Sequence, residues 1–178
     1  NDALKIDEKA LVKPNAKIIA NLPYNIGTVL LFKWLENVNH WKSLTLMFQK
    51  EVAERIVAKP GGKDYGRLAV VSQLLCDSEI HFDLKPEAFF PPPKVTSSVI
   101  SLYPKNNLPT VELIEAVQFI CRVLFNQRRK MLRSTLKQAH QDIDNLIINT
   151  DISLTQRPEE LSIDQFIQMG RNYLLLTK

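Results

Sequence analysis

The stretch KIIANLPYNIGT at residues 17–28 puts a side-chain amide, Asn21, a proline, Pro23, and an aromatic ring, Tyr24, within four positions. That set suits one kind of chemistry. An aromatic amine, such as the exocyclic amino group of adenine, is a weak nucleophile because its lone pair is delocalised into the ring. The amide oxygen of Asn21 and the backbone carbonyl of Leu22 can accept its two N–H bonds and turn the lone pair toward an electrophilic methyl group. A ring such as Tyr24, stacked on the base, fixes its plane. No group need take the proton before attack, because it is lost once the amine has become cationic. The same four residues would also serve as an ordinary strand-ending turn with a surface tyrosine.

Such a corner needs elements to hold it. The apolar run Ile18-Ile19-Ala20 reads as a buried strand, and Pro23 both lacks a backbone N–H and biases Leu22 away from the helical region, so the chain leaves the sheet there. In open α/β sheets, ligands bind at the carboxyl ends of strands. Gly27 and Thr28 supply a permissive residue and an N-cap for a helix over 29–38. Residues 43–49, SLTLMFQ, read as the next buried parallel strand, followed by a helix over 50–58, a loop KPGGK at 59–63 and a second helical run over 65–75. In 79–84, EIHFDL, the alternation turns Ile80, Phe82 and Leu84 inward. Residues 95–102 alternate similarly and are expected to pair with that strand as an antiparallel edge. Between them lies AFFPPPK at 88–94, where three prolines are expected to hold the connector extended. Phe89 is a candidate second ring opposite Tyr24, and Phe90 is expected in the core.

The 178 residues are 45% hydrophobic and 24% charged, an ordinary globular composition sufficient for one domain and a small second one. A net charge of +4 permits a nucleic-acid partner without requiring one. The two cysteines, Cys76 and Cys121, form no motif and read as reduced core residues, and His40, His81 and His140 lack metal-ligand spacing, so no metal site is expected. No apolar run approaches membrane-spanning length, which points to a cytoplasmic chain with no membrane partner. A composition shift at KNNLP, 105–109, divides residues 1–106 from a helical domain at 107–178. In that second part Arg122, Arg128, Arg129, Lys130, Arg133 and Lys137 occur with no acidic residue among them. On a continuous helix, Arg129, Arg133 and Lys137 form one stripe while Leu132 and Leu136 face inward. The stripe suits an RNA backbone, although basic runs also occur simply as solvated faces.

NLPYNI, QKEV, YGRL, AFFPPPKV and FNQRRK follow one another in this chain in an order that resembles the ribosomal RNA adenine dimethyltransferase family. That family includes the small-subunit (16S) enzymes associated with kasugamycin sensitivity and, more distantly, the erythromycin-resistance methylases. The resemblance runs from about Asp2 to the C-terminus, and it implies the C-terminal half of a Rossmann-like methyltransferase sheet followed by a small all-α domain. The family's glycine-rich cofactor loop does not occur in these 178 residues, so the chain alone is expected to bind S-adenosylmethionine poorly and to expose a sheet edge.

By the same resemblance, Asp2 accepts from the adenine amino group of the cofactor, and Asn21 and Pro23 line its methionine end. The family's phenylalanine precedes one variable residue and then the proline run, which selects Phe89 over Phe90. Arg128, Arg129, Lys130, Arg133, Lys137 and Lys94 are the implied RNA contacts. The implied activity is dimethylation of two adjacent adenosines in small-subunit ribosomal RNA by a monomer, contributing to ribosome biogenesis. Two rivals stand beside it: an amino-methyltransferase acting on DNA adenine or a protein glutamine, and a non-catalytic RNA-binding or assembly module.

Overall fold

A computed structural model of the chain describes residues 2–177, which fall into two units. The first contains the residues up to Val57 together with Leu75–Asn106. It opens with α1 (Glu8–Leu11), capped by the Asp7 side chain, and continues through β1 (Ala16–Asn21), α2 (Gly27–Leu35), β2 (Trp41–Gln49) and α3 (Lys50–Val57). It ends with β3 (Cys76–Leu84) and β4 (Ser97–Pro104). The strands form one sheet in the order β1-β2-β4-β3. β1 pairs parallel to β2, and β4 pairs antiparallel to both β2 and β3.

β2 is the strand that the sheet is built on, with Leu44 and Leu46 fully buried and Met47 and Phe48 nearly so. Each such side chain contributes roughly 1.5–3 kcal/mol relative to an exposed one. β1 departs from expectation. It is an edge strand with alternating exposure rather than a buried one, and Ile19 is 78% exposed. β4 departs too: the expected antiparallel edge sits inside the sheet, between β2 and β3, and β3 takes the outer position. Within β3 the pairing register shifts between Ile80 and Phe82, a bulge that breaks the period of two. Phe82 therefore lies 55% exposed instead of facing inward. α2 begins at Gly27, and its N-cap position is Ile26, with no side-chain cap, so Thr28 does not play that part.

The second unit is helical, comprising Ala58–Leu74 and the residues from Asn107 onward. It contains most of α4 (Arg67–Leu75), then α5 (Val111–Phe125), the single turns α6 (Leu132–Thr135) and α7 (Ile143–Leu146), and α8 (Ile163–Leu176). Thr110 caps α5, and Ser162 with Gln165 forms a capping box on α8. α5 and α8 pack through Gly170, where an added Cβ would lie 2.8 Å from a Val117 methyl and 3.0 Å from Leu113. Phe125 and Phe166 stack with centroids 5.9 Å apart, and Tyr65 meets Phe125 edge-on at 6.3 Å. Ala58–Leu74 groups with these helices although it lies within residues 1–106. Its place beside α5 and α8 is set by the fully buried Tyr65, whose hydroxyl donates to the Leu161 carbonyl at 2.9 Å, and by Gly61 N–H donating to the Glu159 carbonyl at 2.7 Å.

Candidate active site

The corner after β1 is tightly made. Asn21 is the last residue of β1 and lies opposite Met47 of β2. Leu22 turns into the core, and the Pro23 carbonyl accepts from Ile26 N–H at 3.1 Å and Gly27 N–H at 3.0 Å, which starts α2. Gly27 is there for closeness: a Cβ would lie 3.1 and 3.3 Å from ring carbons of Phe48 and 3.5 Å from Leu22 Cβ. Tyr24 is 38% exposed, and its hydroxyl shares a 2.7 Å hydrogen bond with Oγ of the fully buried Ser97. Asn21 is exposed, and its side-chain amide makes no hydrogen bond among the described residues.

The backbone after β3 forms the facing wall. A short 3₁₀ turn, Pro86–Ala88, leads into bends through Phe89 and Phe90, and the Phe90–Pro91 peptide is cis. The connector is thus folded over rather than extended. Phe89 is half-buried, whereas Phe90 is fully exposed, the opposite of the expected core position. An open pocket of about 260 Å³ lies between these parts. Asn21, Leu22, Pro23 and Tyr24 line it from the corner, Phe89, Phe90, Pro91 and Pro93 from the connector, and Met47 from β2. Its volume falls just below the roughly 300 Å³ at which pockets for drug-sized ligands begin. Lys94 is exposed and adjoins Pro93.

The start of β4 is held by polar contacts that the sequence did not signal. Ser98 donates to Asp83 Oδ1 at 2.6 Å, Lys50 Nζ reaches Asp83 Oδ2 at 2.6 Å, and Lys50 N–H donates to the Thr96 carbonyl at 2.9 Å. Hydrogen bonds from Lys50 and then Ser98 hold the Asp83 carboxyl below its ordinary range, and Asp83 in turn raises Lys50. Ser97, Met47 and Asp83 had no signal beyond strand alternation to mark them.

Asp2 lies outside that pocket. Its Oδ1 accepts from Leu4 N–H at 3.0 Å, in a turn closed by Lys5 N–H donating to the Asp2 carbonyl at 2.9 Å. Lys33 of α2 anchors the following segment, donating to the Ala3 carbonyl at 2.8 Å, to the Ile6 carbonyl and to Glu8. Trp34 Nε1 also donates to Glu8, at 3.0 Å. Burial pushes the Glu8 carboxyl up, but the bonds from Lys33 and Trp34 outweigh it and leave it below its ordinary value.

The basic segment in the helical unit is not one stripe. α5 ends at Phe125, turns follow, and only Leu132–Thr135 is α-helical again, so Arg129 lies outside that turn of helix and Lys137 in a 3₁₀ turn beyond it. Leu132 and Leu136 do face inward, both fully buried. Arg129, Lys130, Arg133 and Lys137 are exposed. Arg128 is occupied: its Nε pairs with Glu159 Oε2 at 2.6 Å, and Nη2 donates to the carbonyls of Gly62 and Lys63. A cavity of about 350 Å³ is lined by Phe125 and the five residues after it.

Neither cysteine is a nucleophile. Both are free and buried, and burial pushes the Cys76 thiol up to about 12 and the Cys121 thiol well above its usual range. Among the described residues no cluster of three or more His, Cys, Asp or Glu could hold a metal ion, and no helix is long and apolar enough to cross a membrane.

A family model described as ribosomal RNA adenine dimethylase matches residues 1–174. The chain belongs to that family. Among relatives of this dimethylase family, the chain is 49% identical over 177 residues to the ribosomal RNA small subunit methyltransferase A of Wolbachia pipientis subsp. Culex pipiens, covering 98% of this chain and 66% of that one. It is 50% identical over 176 residues to the protein of the same name from Paracoccus denitrificans, covering 96% and 61%. The chain thus spans a little under two thirds of the length of these relatives. The crystal structure of a dimethyladenosine transferase from Plasmodium falciparum superposes with a TM-score of 0.73 at 26% identity, covering 95% of this chain and 69% of that one. That of the 23S rRNA methyltransferase ErmE gives 0.61 at 17% identity, covering 96% and 69%, a likeness of fold. The sheet and its helices are those of a Rossmann-like methyltransferase.

Proposed function

We propose that the protein transfers methyl groups from S-adenosylmethionine to the exocyclic amines of two adjacent adenosines in small-subunit ribosomal RNA, two to each. The observation that carries this reading is that Asn21, Leu22, Pro23, Tyr24 and Phe89 line one pocket together. Asn21 Oδ1 and the Leu22 carbonyl accept the two N–H bonds of the amine, which leaves its lone pair directed outward. Tyr24 and Phe89 hold the base by its faces after it leaves its stack, a contact of roughly 1–3 kcal/mol per base. When bound, S-adenosylmethionine supplies an electrophilic methyl group. Asn21 would offer the cofactor an unengaged amide and Pro23 an apolar surface, while Asp2, whose Oδ1 accepts from Leu4 N–H, would have to offer its other carboxylate oxygen. Arg129, Lys130, Arg133, Lys137 and Lys94, all exposed, bind RNA phosphates, while Arg128 ties its own segment to Glu159 and to the loop at Gly62 and Lys63. The protein works in the cytoplasm as a monomer, contributes to ribosome biogenesis and bears on kasugamycin sensitivity.

The test is methyl transfer from labelled S-adenosylmethionine by the full-length protein to unmethylated small ribosomal subunits, with DNA and a glutamine peptide as competitors. Label should appear as dimethyladenosine in the RNA and fall by at least 100-fold in Asn21→Ala. Label in DNA or peptide instead would show a different amino-methyltransferase. RNA binding with no cofactor heat in calorimetry would show an assembly module.

A further inference from the structure

We propose that Ser97 is a positioning residue for methyl transfer, acting through the Tyr24 hydroxyl to fix the plane of the ring that stacks on the target base. The proposal rests on the reading of the pocket given above. Stacking needs only a ring, and phenylalanine would supply one. What tyrosine adds is a polar handle, and here that handle is engaged at 2.7 Å by a serine 73 positions away in sequence.

The anchor is unusually well fixed. Ser97 is fully buried and is the first residue of β4, paired with Gln49 of β2 on one side and Leu84 of β3 on the other. The residues on either side of it are tied down as well, Thr96 by Lys50 N–H and Ser98 by Asp83. A buried hydroxyl requires a partner, and swinging Tyr24 outward would strip Ser97 of the one it has in this structure. The bond therefore biases a side chain that is 38% exposed toward a single orientation before any base arrives. Phe89 lies eight positions before Ser97 in the segment that leads into β4. Losing the bond frees the Tyr24 ring to rotate, and misorientation of a reacting group by about 1 Å costs on the order of 100-fold in rate.

The experiment compares Ser97→Ala, Tyr24→Phe, the double variant and Tyr24→Ala in the full-length protein, on unmethylated small ribosomal subunits. A short RNA carrying 2-aminopurine at the target position reports stacking. Each single variant should lose about 10- to 100-fold in kcat with cofactor affinity unchanged, and the double variant should lose no more than either. The fluorescence of bound 2-aminopurine should become less quenched in all three. Additive losses in the double variant, or wild-type kcat in a folded Tyr24→Phe, would overturn the role of Ser97. Tyr24→Phe keeps the ring and decides the matter even if Ser97→Ala fails to fold. Wild-type activity in Tyr24→Ala would instead remove the reading of the pocket itself.

Discussion

Gly27 shows how one missing methyl group shapes the site. Its neighbours on the Cβ side are the Phe48 ring, at 3.1 and 3.3 Å, and Leu22. Phe48 is buried near the C-terminal end of β2 and has little room to yield. Gly27→Ala should therefore destabilise the protein by about 1–2 kcal/mol, as overpacking does, and lower methyl transfer by displacing Leu22. Urea unfolding and single-turnover methylation measure the two effects. At this scale the sequence marked out Asn21, Tyr24 and Phe89 because amide, proline and ring in sequence have few uses beyond a turn, and the three line one pocket. It could not reveal Ser97, since a buried serine at the start of a strand looks like any polar residue of an alternating pattern. Phe90 misled for a related reason: hydrophobicity argues for burial, yet the bends in the connector leave that ring fully exposed.

Among the elements, α5 and α8 depend on Gly170. Alanine is the better helix former by about 1 kcal/mol, but its Cβ would stand 2.8 Å from a Val117 methyl, and valine is too stiff to move aside. Contact should win, and Gly170→Ala is expected to lose about 1–2 kcal/mol net, read as a lower melting temperature. The link between α2 and the segment before β1 makes a pH prediction. The Glu8 carboxyl, accepting from Lys33 and Trp34, lies below its ordinary range, so its contribution is complete above the range of an unfolded glutamate and is lost as pH falls through the folded value. Glu8→Gln should accordingly destabilise the protein at pH 7 and converge on the wild type in acid, checked by denaturation at both ends. Element types were legible from periodicity. Strand order was not, because alternation says which face a residue takes and nothing about which strand lies beside it. The bulge after Ile80 escaped for the opposite reason, as it breaks the very pattern being read.

Across the molecule, a net charge of +4 is less informative than where its cations are free. Arg133→Ala with Lys137→Ala should weaken RNA binding and flatten its dependence on log salt by roughly 0.7 per lost phosphate contact. Arg128→Ala should leave that slope nearly unchanged and instead lower the unfolding temperature, because Arg128 is paired with Glu159 and the loop at Gly62 and Lys63. Filter binding over a salt series and calorimetric melts separate the two. Composition shifts at residues 105–109, and one division between the two units falls at Asn106. The allegiance of Ala58–Leu74 was not, because Tyr65 finds Leu161 only across 96 positions.

The place of β4 has a consequence for synthesis. Among the described residues it is the last strand in chain order and yet the one that fills the gap between β2 and β3, carrying Ser97 to Tyr24. A nascent chain halted before that strand has two unjoined pieces of sheet and no completed cleft for a base. On the reading proposed above, the slot for a base is therefore finished only when β4 slides into place and brings Ser97 against Tyr24.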